Sequence, residues 1–129
     1  MNGIIWYAEE YGELFDFTNE NCYNKLKTAV GGWIECVTLA STGIDMWVNE
    51  EGKLDGLKKN AKATALWQDN YGATDVVVGN AVFTGGTDED GNTIGLTDEQ
   101  CLFLLSYEKT VDVDSLDVED YLGWSVTSW

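Results

Sequence analysis

Residues 75–83 read DVVVGNAVF, apolar on both faces that a strand would present and interrupted only by Gly79. A strand with one wet side alternates polar and apolar residues. This stretch is therefore expected inside a sheet, as a buried strand with a bulge or as two short strands meeting at a bend. The rest of the chain has to supply neighbours for it.

The neighbours can be read on either side. Residues 4–18, IIWYAEEYGELFDFT, predict two strands around an acidic turn, with Ile4, Trp6 and Ala8 on one face and Ile5 and Tyr7 on the other. Thr18 or Asn19 is expected to cap a helix with Glu20 in its first turn. Cys22, Leu26, Ala29 and Val30 follow at helical spacing until Gly31-Gly32 stops it. WIECVTLA and IDMWVNE read as a hairpin turned at Ser41-Thr42-Gly43. A loop opens at Glu51-Gly52 and Asp55-Gly56, and NAKATALWQDNYG after it fits one short helix or an irregular crossing. Beyond TGGTDEDGNTIG, which is turn chemistry throughout, Thr97 and Gln100 match a capping box. Cys101, Leu102, Leu104 and Leu105 give that helix an apolar stripe.

The order β-β-α-β-β-loop-β-α-tail predicts an α+β fold: one compact domain over residues 1–109, an antiparallel or mixed sheet, and two main helices on one face of it. Residues 110–129, TVDVDSLDVEDYLGWSVTSW, form an acidic, Trp-containing extension expected to pack on or flank that domain.

Composition narrows the function. The 129 residues hold 23 acids, seven lysines, no arginine and no histidine, for a net charge of −16. Such a chain is repelled by phosphate backbones and anionic membranes, and it has no arginine fork for phosphate or guanine. Direct nucleic-acid and membrane binding are excluded on charge, and basic protein surfaces are favoured. Without histidine or arginine, the usual acid–base and oxyanion roles lose their players, so no catalytic residue, cofactor or metal is expected. Cys22, Cys36 and Cys101 stand at no ligand spacing and read as buried free thiols of a reducing cytoplasm. The acidic start of the chain is no signal peptide, and no apolar run approaches the ~20 residues that span a bilayer.

Several blocks in order, VGGWIECV, WVNEEGKLDGLKKNAKATAL, DVVVGNAVFTGG and GLTDEQ, resemble the family catalogued as domain of unknown function 3846. The likeness runs over about residues 24 to 105. Lys58 stands where members often carry proline, and the acidic tail is longer than the family pattern. The resemblance implies a small α+β fold and an origin in a phage or mobile element, hence a host bacterial cytoplasm. It lends no activity and no catalytic residue.

Two stretches are candidates for binding. Four of the seven lysines lie between Trp47 and Trp67. One reading is a loop, residues 49–62, that sets Lys53, Lys58 or Lys59 against the phosphates of a nucleotide-like ligand; the other is a solvated loop whose lysines offset Glu50, Glu51 and Asp55. The glycine spacing fits no phosphate-binding motif. The loop TDEDGNTIGLTDE fails the calcium-loop spacing, because position twelve would be Thr97.

The second stretch is the tail. Residues 86–129 carry eleven acids against one lysine, −10 of the −16. Asp112, Asp114, Asp117, Glu119 and Asp120, with Tyr121 and Trp124 as aromatic anchors, are the expected contact residues for a basic host protein. An acidic surface of this kind can also imitate the charge lattice of DNA, as an anti-defence protein would. The expected function is a non-enzymatic accessory protein acting by protein–protein contact. A nucleotide-binding pocket at the lysine loop and a homo-oligomeric assembly module are the alternatives.

Overall fold

The structure is a computed structural model, and it describes residues 1–122. Five strands, β1 (Asn2–Trp6), β2 (Gly12–Asp16), β3 (Ile34–Leu39), β4 (Ile44–Asn49) and β5 (Ala81–Thr84), make one sheet in the order β2-β1-β5-β4-β3. Every pairing is antiparallel. The helices are α1 (Cys22–Val30), α2 (Ala61–Tyr71) and α3 (Asp98–Ser106). The fold is α+β. The 60–72 segment, left open between helix and irregular chain, is the helix α2.

The apolar run at 75–83 resolves into two pieces. Ala81–Thr84 is the central strand, buried at every residue, while Val78 makes only an isolated bridge to Lys59. Gly79 turns the chain between them at φ +74°, and a Cβ there would sit 2.9 Å from Leu57 Cδ1. The backbone angle demands glycine, whereas the Leu57 methyl could swing aside.

Strand alternation sorts the core into two layers. Ile4, Trp6, Met46, Val48 and Phe83 pack with Ala63 and Leu66 of α2 and Leu104 of α3. Ile5 and Val82, with Trp47 beside them, pack against Leu26 and Val30 of α1. The helices therefore cover both faces of the sheet, not one as the element order suggested. The reason lies in β5: a strand apolar on both sides needs cover on both, and each large apolar side chain so buried contributes about 1.5–3 kcal/mol.

The helix ends differ in how well sequence anticipated them. Thr97 and Gln100 form the capping box of α3, with both reciprocal bonds made. At α1 the cap position is Asn21, later than expected. Thr18 and Asn21 exchange backbone–side-chain bonds across the turn before the helix, so Glu20 precedes the first turn and does not lie in it. The apolar stripe of α3 is only partly covered: Leu104 is fully buried, but Leu102 and Leu105 are 68% and 58% exposed. At 100° per residue the stripe spans about 160° of the helix, wider than the contact with β1 can hide. The thiols also depart from expectation, since Cys36 is exposed and Cys22 and Cys101 are half-buried.

Candidate functional site

Two local devices fix where the acidic segment lies. Tyr107, just past α3, stacks on Trp6 with centroids 5.5 Å apart and donates its hydroxyl to Asp69 Oδ2 at 2.7 Å. Lys109 Nζ reaches the same carboxylate at 3.2 Å. These two donors hold Asp69 below the usual carboxylate range, the tyrosine bond first and the lysine second. Burial, together with that bond, pushes the Tyr107 phenol up. The chain then runs against α2: Val111 N–H donates to the Ala61 carbonyl, and Lys59 Nζ donates to the Leu116 carbonyl.

Two 3-10 turns, Val113–Ser115 and Val118–Tyr121, fold this segment. Ser115 closes the first through the Asp112 carbonyl, and Asp117 caps the second by accepting from Glu119 N–H. The outcome is an alternation. Asp112, Asp114, Asp117, Glu119 and Asp120 are all exposed, while Val113, Leu116, Val118 and Tyr121 are half-buried. Five of the expected contact residues thus share one solvent-facing ribbon, with Tyr121 beside them. Trp124 lies outside the described residues.

The lysine loop answers differently. Lys53 points inward to Asp75 at 2.5 Å, the two side chains 7% and 3% exposed. Lys59 turns to the acidic segment, Lys58 is exposed, and Lys62 lies 4.3 Å over the Trp6 ring, where burial lowers its pKa. The three expected ligand lysines do not converge. A cleft of about 340 Å3 opens beside Lys53, floored by Val48 and Val77, but its other charges are Glu35, Glu50 and Glu51. Burial and then the nearby Glu50 raise the pKa of Glu35, and three carboxylates against one lysine leave the cleft electronegative. A phosphate gains little there.

Sequence reading missed Asn60. Its side chain accepts from Ala63 N–H as the cap of α2 and donates to the carbonyls of Trp6 and Gly79. One residue thereby ties the helix to β1 and to the glycine bend. An asparagine directly before an alanine-rich run was the available signal. The loop at 87–93 is the polar turn that its failed calcium spacing implied: Asp88 Oδ1 accepts from the backbone of Asp90 and Asn92. Among the described residues no group of three or more acids or thiols is set to hold a metal ion, and no helix is long and apolar enough to cross a membrane.

No curated protein and no solved structure matches the chain. A family model, described as domain of unknown function (DUF3846), matches residues 4–112, from the first strand to the start of the acidic ribbon. Since that match covers most of the 129 residues, the chain belongs to the DUF3846 family.

Proposed function

We propose that this protein is a non-enzymatic accessory protein of a phage or mobile element, acting in a bacterial cytoplasm by binding a basic host protein. The observation that carries the reading is the ribbon at 112–121, where every acid faces solvent while its apolar neighbours turn to the domain. Carboxylates held on a pinned backbone lose less freedom on binding than the same charges on a loose tail. Their field steers a cationic partner, and the half-buried Tyr121 offers an aromatic contact beside them. A host factor that itself handles nucleic acid fits such a surface, because its cationic face is built for phosphates. A phosphate ligand at the lysine loop has less support, given the three carboxylates in that cleft.

Capture from host lysate tests the proposal. The full chain is compared with a variant carrying D112N, D114N, D117N, E119Q and D120N. A partner held by the full chain at about 0.1 M salt, lost at about 0.5 M and lost to the variant, is the expected result. A partner retained equally by both proteins would defeat it.

A further inference from the structure

At the β2 edge of the sheet, Leu14 of β2 and Leu102 and Leu105 of α3 border a groove of about 530 Å3 that Cys101 also lines. Leu14 is 52% exposed, so three leucines lie open together. Single exposed leucines need no explanation, but a contiguous set does. Among the described residues, no segment covers it.

The backbone beside this groove is open as well. Phe17 N–H donates to the Met1 carbonyl and Tyr7 N–H to the Tyr11 carbonyl. With the register Gly3↔Phe15 and Ile5↔Glu13, those pairs exchange the ladder bonds with β1. The N–H and C=O groups of Gly12, Leu14 and Asp16 therefore point away from the sheet. Lys25 takes the Asp16 carbonyl. Among the described residues the edge stays open at Gly12 and Leu14, and such an edge flanked by an apolar groove suits an added strand, whose alternate side chains would drop between Leu14 and α3.

Charge selects the occupant. Asp16 and Asp98 line the groove, Glu13 lies on the opposite face of β2, and the whole chain carries −16. The Met1 ammonium, 3.6 Å from Asp16, offsets only part of this charge, and a second copy would bring a further −16 to the same edge, a net repulsion that disfavours self-pairing. We infer that an extended segment of a cationic protein, alternating large apolar and basic side chains, adds to β2 as a sixth strand. This rests on the proposed reading that the partner is basic, and it names a docking mode on a different surface from the ribbon.

The test is titration of the isotope-labelled full chain with a capped heptapeptide alternating lysine and valine, followed by NMR. Saturable shifts at the amides of residues 12–16, and at Leu102 and Leu105, are expected. Binding should weaken at least about tenfold in L102S/L105S and in L14P, whose lost N–H points away from β1. Equal binding of a lysine heptamer would reduce the site to bulk charge and overturn the inference. So would shifts at β2 that depend on protein concentration without peptide, which assign the edge to a second copy. Cross-peaks from Trp124 or Trp129 to the Leu102 methyls in the free protein would assign the groove to the chain's own end. If the peptide binds as expected but neutralising the ribbon spares lysate capture, the proposed function fails and the groove stands. The reverse pair of results removes the groove alone.

Discussion

Lys53 and Asp75 form an ion pair closed off from water, 2.5 Å apart, joining the lysine loop to the chain just before the glycine bend. Asp75 also accepts from Val76 N–H at 2.8 Å. One of the three lysines expected as ligand contacts is thus spent on holding the loop. Removing one member of a buried pair leaves the other charge uncompensated, a loss of about 3–5 kcal/mol. Lys53→Met and Asp75→Asn should each lower unfolding free energy by about 3 kcal/mol in urea denaturation. Neither should change capture of a basic partner. A Lys53→Met protein of unaltered stability would show that the pair does not fasten the loop.

Tyr107 and Asp69 give a pH signature. Asp69 is held below its usual value, so its contribution to stability is present above the ordinary aspartate range near about 4 and is lost as pH falls through the lowered folded value. Tyr107 is pushed up, so its contribution is full below about 10 and is lost as pH rises through the folded value. Tyr107→Phe should cost about 1 kcal/mol at neutral pH, a modest figure because Asp69 is exposed. Thermal melts should show the gap between wild type and variant narrowing at both extremes of pH.

Tyr7 offers a cleaner titration. Its hydroxyl donates to Glu13 Oε2 at 2.8 Å, and that bond, with burial and the carboxylate charge behind it, pushes the phenol up to about 12. Glu13→Gln removes the charge and weakens the bond. Absorbance titration of tyrosinate should therefore show one phenol moving from about 12 back toward its ordinary value near about 10. No movement would place the cause in burial alone.

Much of the fold was legible because its local signals agree with its packing. The assignment of Ile4 and Trp6 to one face of β1 and Ile5 to the other, the hairpin at Ser41–Gly43 and the Thr97–Gln100 box each rest on short-range chemistry that tertiary contacts do not overrule. The placement of the helices was not legible from element order. It was legible in principle from DVVVGNAVF, whose two apolar faces require two covers. The surplus leucines of α3 could not be seen as surplus, since helical spacing reports a stripe but not how much of it a partner covers. At the candidate site, charge located the ribbon, yet the bonds from Ala61, Lys59 and Asp69 that pin it join residues 38 to 57 apart in sequence. The lysine loop misled for the opposite reason: a cluster in sequence became four side chains with different destinations.

The acids of the ribbon, Asp117 apart, should be dispensable for folding. These acids are exposed, and surface substitutions away from caps and cores usually fall within about 0.5 kcal/mol. Neutralising Asp112, Asp114, Glu119 and Asp120 also relieves repulsion among like charges. That variant should match or slightly exceed wild-type stability at low salt, with the difference shrinking as salt rises. Asp117 is the exception, because it caps the second turn through Glu119 N–H, and Asp117→Ala should cost up to about 1 kcal/mol.

The tightest backbone crossing lies where the 85–95 loop closes. Gly85 N–H donates to the Ile94 carbonyl and Ile94 N–H to the Gly86 carbonyl, each at 2.9 Å. A Cβ on Gly85 would stand 2.1 Å from the Gly95 carbonyl oxygen, and one on Gly95 would stand 2.8 Å from Asn2 N. The obstacle in both cases is backbone, which cannot rotate aside. Gly95 is followed by Leu96, whose N–H donates to the Asn2 carbonyl, so any shift there is passed to the start of β1. Gly85→Ala should therefore lose more than about 4 kcal/mol, within the exceptional tail of single substitutions. Glu89→Ala at the exposed tip of the same loop should stay within about 0.5 kcal/mol. Equal denaturation midpoints for the two variants would mean that the crossing is looser than its geometry requires.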